Sequence, residues 1–289
     1  MNGIIIINKP SDWTSHDVVA KLRGILRQKR IGHGGTLDPM ATGVLPVFVG
    51  RATRAVQFCE SYDKEYVAGI RFGITTDTQD ITGTVLTETA SNVTSHDLSA
   101  VIPEFIGQQL QIPPMYSAVK IGGQKMYELA RRGIDVERNP REINIKSLEI
   151  VDETADGFSL RIVCSKGTYI RTLCHDIGQR LSCGAVMSSL LRSRVGTFTL
   201  ESSVTIEQVQ QHADDDINKI LMPVDRLFDS HPAATLSADL MDKCKNGNSF
   251  SLSDTENGLY RVYGPSGDFL MLGEMQDNIM KTVKSFFEV

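Results

Sequence analysis

The sequence predicts an α+β fold, with a mixed or antiparallel sheet flanked by helices and a small β-rich module at the C-terminal end. Three observations carry that expectation. Apolar segments of helical and of strand period are interleaved along the chain, with no internal repeat and no strict strand–helix alternation. Residues 143–150 and 158–165 read as two strands paired around an Asp156-Gly157 turn. Around Asp225–Pro232 the composition shifts, and the residues beyond it alternate about a Gly264-Pro265-Ser266-Gly267 turn.

The elements follow in order. Ile4–Ile7 is β-branched and apolar throughout, as in a strand buried on both faces, and Asn8-Lys9-Pro10-Ser11 ends it. Thr14 or Ser15 caps a helix whose stripe is Val18, Val19, Leu22, Ile25 and Leu26. Residues 32–43 form a glycine-rich loop around Asp38-Pro39, and 44–49 resume as strand. A short helix at about 52–60 leads into a strand at 66–72, where Tyr66, Ala68, Ile70 and Phe72 alternate. Residues 75–83 read as a polar loop. Leu98, Val101, Ile102 and Phe105 suggest a helix kinked or restarted at Pro103, and Pro113-Pro114 a rigid extended segment. Met126–Arg132 reads as a helix stopped by Gly133, and a further helix runs from about Tyr169 to Leu181, ending at Gly184. The expected domains are 1–230 and 232–289.

Composition narrows the class. Of 289 residues, 41% are hydrophobic and 22% charged, so disordered and fibrous classes are excluded. The longest apolar run near the start is too short to span a membrane, and Met1-Asn2-Gly3 begins no secretory signal. The five cysteines form no C-x-x-C pair, which argues against a disulfide framework and a zinc site. A reduced, cytoplasmic protein is expected. The net charge of −5 speaks against a polyanionic partner until its distribution is read. Residues 201–289 hold 15 acidic and 7 basic residues, leaving 20 acidic and 23 basic for residues 1–200. Lys21, Arg23, Arg27, Lys29 and Arg30 form one basic cluster, and Arg161, Lys166, Arg171, Arg180, Arg192 and Arg194 a second. Such clusters can track phosphates, although a solvated face is the commoner meaning of either alone.

Three segments could carry chemistry. Gly32-His33-Gly34-Gly35-Thr36-Leu37-Asp38-Pro39 has the glycines for a close backbone approach but lacks a phosphate-loop Gly-Lys-Ser/Thr, and Leu37 occupies the third glycine position of a dinucleotide fingerprint. A tight turn would also explain it, except that a histidine enters the loop and an apolar residue flanks the acid. In Ser165–Thr172, Arg171 sits in the first turn of a helix, where the dipole disfavours a cation, so a nearby anion is expected. Lys64-Glu65-Tyr66 places an aromatic at a strand start, which plain core packing also explains.

Together these segments resemble the TruB-type tRNA pseudouridine synthases. The matching stretches are Asn8–Ser15, Gly32–Gly43, Asp63–Tyr66, Thr76–Asp80, Gln111–Lys120, Cys164–Thr172, Leu190–Ser193 and Gly196–Phe198, which span residues 3 to about 200 in the family's order. The resemblance implies a pseudouridine-synthase-like catalytic domain and a PUA-like C-terminal module. It implies isomerisation of the T-loop uridine at tRNA position 55, on a flipped nucleotide, with no cofactor, no metal and no obligatory protein partner. It implies Asp38 as the catalytic carboxylate, acting as nucleophile or as base, and Arg171 as its partner. Tyr66 is implied to stack on the flipped base, Leu190 to back the pocket, and His33 to fill the space the uridine leaves; Asp80 and Tyr169 are implied pocket residues. A non-catalytic RNA-binding or RNA-folding protein on the same scaffold would not need Asp38, Tyr66 and Arg171 together. A glycosidase would want a second carboxylic acid where the motifs supply an arginine. Because all these segments precede residue 200, truncation near residue 231 is expected to leave a folded enzyme, unless the tail covers apolar surface.

Overall fold

The structure, a computed structural model, describes residues 1–117, 120–130, 132–134, 136–253 and 255–287. The chain runs β1 (Gly3–Lys9), α1 (Ser15–Ile25), β2 (Ile31–His33), β3 (Thr42–Val49), α2 (Val56–Glu60), β4 (Lys64–Phe72) and the hairpin β5 (Ile74–Thr76) and β6 (Val85–Glu88). It continues through α3 (Ser95–Val101), β7 (Gly107–Gln111), the short β8 (Lys120–Ile121) and β9 (Gln124–Lys125), and α4 (Met126–Ala130). Then come β10 (Arg141–Thr154), β11 (Gly157–Cys164), α5 (Ile170–Arg180), β12 (Ala185–Val195), β13 (Phe198–Thr199) and α6 (Ile206–Asp214). The C-terminal part holds β14 (Ala233–Thr235), α7 (Ala238–Lys245), β15 (Phe250–Ser251), β16 (Gly258–Tyr263), β17 (Phe269–Gln276) and β18 (Ile279–Ser285).

The main sheet has the order β1-β3-β12-β4-β11-β10-β7, with β2 added on β3 and β13 on β12. Its pairs are antiparallel except β3 with β12, so the sheet is mixed. The all-apolar β1 has a physical reason. Ile4 and Ile6 face a core with Phe48 and Phe228, while Ile5 and Ile7 face a second core with Val18, Leu22 and Val209. Helices α1 and α6 cover that second face. A third core, under α5, joins Leu37, Tyr66, Leu173, Ile177 and Leu190.

Several expectations meet a different local answer. Gly32 and His33 belong to β2 rather than to an open loop, because Ile31 and His33 pair with Val49 and Val47. The helix expected from residue 52 opens as a 3-10 turn over Gly50–Ala55. Residues 185–195, of which only a motif was noticed, form the central strand β12; its Ser188, Ser189 and Arg192 interrupt the apolar pattern that would have marked it. Arg131, inside the helix expected over Met126–Arg132, lies outside the described residues, as do Ala118 and Val119 of the Gln111–Lys120 segment.

The C-terminal strands form a separate sheet of order β14-β16-β17-β18-β15, and residues 264–267 turn between β16 and β17. This sheet is packed on the main body. Phe228 lies 5.1 Å, ring centre to ring centre, from Phe58 and 6.1 Å from both Phe269 and Phe286. Leu272 and Phe286 share one core with Ile4, Phe48 and Phe198. Among the described residues no helix is long and apolar enough to cross a membrane.

Candidate active site

Asp38 stands in the loop between β2 and β3, and the peptides on both sides of it are tied down. The Ser15 hydroxyl, in the first turn of α1, accepts from the Leu37 N–H at 2.9 Å and donates to the Leu37 carbonyl at 3.3 Å. On the other side the Pro39 carbonyl accepts from the Lys9 ammonium at 3.0 Å and from the Asp12 N–H at 2.9 Å. Lys9 is fully buried and also donates to the carbonyls of Pro10 and Trp13. Burial pushes its ammonium down to about 8, against the opposing pull of the Asp38 charge. The capping box of Thr14 with Asp17 fixes the start of α1, and so the position of Ser15.

The glycines of this loop are needed for close approach. A Cβ on Gly34 would come within 2.8 Å of the Cys59 sulfur and 2.9 Å of the Phe48 ring. At Gly43 the φ is +101°, and a Cβ would fall 2.3 Å from the Arg192 carbonyl oxygen, so β3 could not lie against β12 with any other residue there.

Arg171 grips the acid. Its Nε lies 3.0 Å from Asp38 Oδ2, and its Nη2 donates to Oδ1 at 3.1 Å. Two parallel N–H···O contacts set the direction of the carboxylate. The Arg171 side chain is 6% exposed and that of Asp38 35%, so the pair presents the carboxylate outward over a buried guanidinium. Arg171 is itself held by the carbonyls of Thr78 and Tyr116, at 3.1 and 2.8 Å, and by Asp80 Oδ2 at 3.7 Å from Nη1. Asp80 is buried and accepts from the Thr78 hydroxyl, the Thr82 N–H and the Thr82 hydroxyl. Tyr169 caps α5, and its backbone N–H and C=O both bond the Gln111 amide, which anchors the helix that carries Arg171.

Tyr66 and Leu190 form the floor. In the β4–β12 ladder Tyr66 pairs with Arg192 and Ala68 with Leu190, so all four side chains share one face of the sheet. Leu37, the neighbour of the acid, packs into the same core as Tyr66 and Leu190. Burial pushes the Tyr66 phenol up, and the Arg192 guanidinium beside it opposes that shift. His33 stands apart, on β2. Among the described residues its Nδ1 is buried without a partner, and burial, followed by the Arg192 and His16 charges, pushes the imidazole down and keeps it neutral.

Of the expected site residues, direct ion pairs join Asp38, Arg171 and Asp80, and core packing joins Tyr66 and Leu190 to the same loop. Lys9, Ser15, Arg192 and Gln111 were missed. Arg192 is 1% exposed and donates to the carbonyls of Val44, Gly35 and Thr36 at 2.7, 3.2 and 3.4 Å. This corrects the reading of the second basic cluster as one phosphate track. Arg171 and Arg192 are interior, Arg180 is forked on Glu104, and Arg194 pairs with Glu65. Among the described residues no group of three His, Cys, Asp or Glu side chains is placed to hold a metal ion.

Residues 23–170 match the sequence pattern described as TruB family pseudouridylate synthase (N terminal domain), and residues 171–229 that of the tRNA pseudouridylate synthase B C-terminal domain. The chain is 41% identical to the tRNA pseudouridine synthase B of Clostridium kluyveri, over 99% of this chain and 100% of that one. It is 44% identical to that of Alkaliphilus oremlandii over 86% of this chain and 82% of the relative. Among solved structures, a Cbf5-Nop10-Gar1 complex contains a chain with TM-score 0.74 and 26% identity, covering 99% of this chain and 85% of that one.

Proposed function

The chain belongs to the TruB family of tRNA pseudouridine synthases, isomerases that make pseudouridine in tRNA, and on that ground we propose that it converts the T-loop uridine at position 55, with Asp38 as its catalytic carboxylate. The observation that carries this reading is the fork of Arg171 on a half-exposed Asp38. The reaction breaks N1–C1′ and joins C5 to C1′; the C5 proton is lost and N1 gains one, so atoms and electrons balance without a co-reactant. The target base is hidden in the folded loop and must be flipped out. Asp38, aimed by the fork of Arg171, acts on the sugar or the base as nucleophile or base. Tyr66 stacks on the flipped base, Leu190 backs it, and the Tyr66 hydroxyl beside Arg192 takes part in the loss of the C5 proton. His33, neutral and with no partner for Nδ1 among the described residues, occupies the place the uridine leaves. Asp80 and Tyr169 act through Arg171 and α5.

We place the enzyme in the cytoplasm with its tRNA, acting on the T-stem-loop without an obligatory protein partner. The division into a catalytic part (1–230) and a PUA-like part (232–289) belongs to the same proposal. The test is release of tritium from 5-tritiated uridine in a tRNA transcript and in an isolated T-stem-loop. Release is expected from both and is lost when cytidine replaces the uridine at position 55. Release that survives this replacement would move the target elsewhere, and free uracil would mean glycosidic cleavage instead.

A further inference from the structure

The five basic residues between 21 and 30 look like one cluster in the sequence, but the fold turns them onto two different surfaces. Arg23, Lys29 and Arg30 line an open concavity on β2, together with His33 and Thr53. Among the described residues no carboxylate lines it. Lys29 and Arg30 have no ion-pair partner among the described residues, and Arg23 is steadied by donating to the Ile31 carbonyl at 3.2 Å. Lys21 and Arg27 line a second concavity, against Gln210 and Asp214 of α6. Hydrogen bonds at the start of α6, and after them the Lys21 charge, favour the charged form of the Glu207 carboxylate. One half of the cluster therefore shares its surface with acids of α6, without an ion pair to them among the described residues, while the other half faces no lining acid and lies beside a residue of the proposed site.

We infer that the Arg23–Lys29–Arg30 concavity seats the sugar–phosphate backbone of the substrate RNA next to the flipped nucleotide, and that Lys21 and Arg27 take no part in RNA binding. This rests on the T-loop reading of the site, since it is His33 that ties the concavity to the extruded uridine. The chemistry fits an RNA backbone. Three cations on a concave, acid-free surface suit consecutive phosphates, and neutral His33 at its margin adds no charge that would hold a phosphate in the base's place. The surface reads no base edge, so it contributes affinity and register rather than sequence choice.

Two double variants carry the same loss of charge within the same ten residues. Lys29→Gln/Arg30→Gln and Lys21→Gln/Arg27→Gln all change exposed side chains, and thermal melting checks that each protein is folded. The Kd for a T-stem-loop RNA is measured over a series of KCl concentrations. Lys29→Gln/Arg30→Gln is expected to make the log–log salt slope shallower by about 1.5 and to weaken binding roughly 30-fold at ~0.1 M salt. Lys21→Gln/Arg27→Gln is expected to leave the slope as in wild type. Equal effects from the two pairs, or none from Lys29→Gln/Arg30→Gln, would overturn the inference. Tritium release by the wild-type enzyme is read in parallel. Its absence would refute the T-loop reading, whereas release without a difference in slope would remove only this surface.

Discussion

Arg192 lies directly across the sheet from Tyr66, in register, and its guanidinium reaches beneath the Asp38 loop to hold the carbonyl oxygens of Gly35 and Thr36. One buried cation thus touches both the floor of the site and the backbone that carries the acid. It faces carbonyls rather than a carboxylate, so removing it strands acceptors in the interior. Arg192→Met is expected to cost about 2 to 4 kcal/mol in urea unfolding, from orphaned carbonyls at roughly 1 to 3 kcal/mol each. Stability within about 0.5 kcal/mol of wild type would show that the loop does not depend on this arginine.

Asp38→Asn is expected to abolish tritium release while stem-loop affinity persists, because phosphate contacts supply most of the binding. Arg171→Lys should lose about 100-fold or more in kcat, since lysine cannot reproduce the fork on Asp38 and a carboxylate misplaced by an ångström loses that much. Single-turnover rates with saturating enzyme read both. Near-normal rates for Arg171→Lys would mean that the fork does not aim the acid.

Lys9 gives the site a pH limit. Its ammonium is pushed from 10.5 down to about 8, so the cation that holds the Pro39 carbonyl loses its proton as pH rises through that value. Activity should therefore fall on the alkaline side with a midpoint near 8, and Lys9→Arg should move that limb upward because arginine keeps its charge. A limb that stays in place in Lys9→Arg would assign it to another group.

Asp176, on α5, is pushed up to about 6 by burial, and it accepts no hydrogen bond from any described residue. Its folded-state value lies above the unfolded value of 3.8, so the folded chain holds more protons between those two values. Stability on this account is highest below pH ~4, falls as pH rises through 6, and stays reduced above it. Asp176→Asn should stabilise the protein at pH ~8 by about 1 to 2 kcal/mol and have little effect near pH ~4. Unfolding titrations at the two pH values give the comparison; destabilisation at the higher pH would mean that the charged carboxylate has a favourable partner.

Truncation after residue 231 is expected to give an aggregating protein, contrary to what the distribution of motifs suggests. It would uncover Phe228, which packs on Phe269 and Phe286, and would remove the Ser285 carbonyl and hydroxyl that accept from Arg54 at 3.0 Å each. Light scattering of the purified fragment reads this; a monodisperse, active fragment would show that the shared core is dispensable.

The sequence alone carried the elements whose cause is local. The all-apolar β1, the capped α1, the β10–β11 pair around Asp156-Gly157 and the break of the helix near Pro103 follow from period, caps and turn residues within a few positions, and they appear where those signals put them. The site residues were legible as a set because their segments recur together in one family's order, not because any one of them is distinctive alone. The tertiary structure decided what depends on distant partners. Whether a basic residue is a surface charge or an interior clamp cannot be read from its neighbours: Arg192 and Lys9 are buried because carbonyls from other segments meet them, while Lys29 and Arg30 stay in solvent. The strand β12 escaped notice because its serines and Arg192 break the apolar alternation, and the contacts that compensate them come from β3 and β4. The C-terminal sheet looked separable because no motif lies in it, yet Phe269, Leu272 and Phe286 complete a core begun by Ile4, and burial of that kind arises only when the chain has folded.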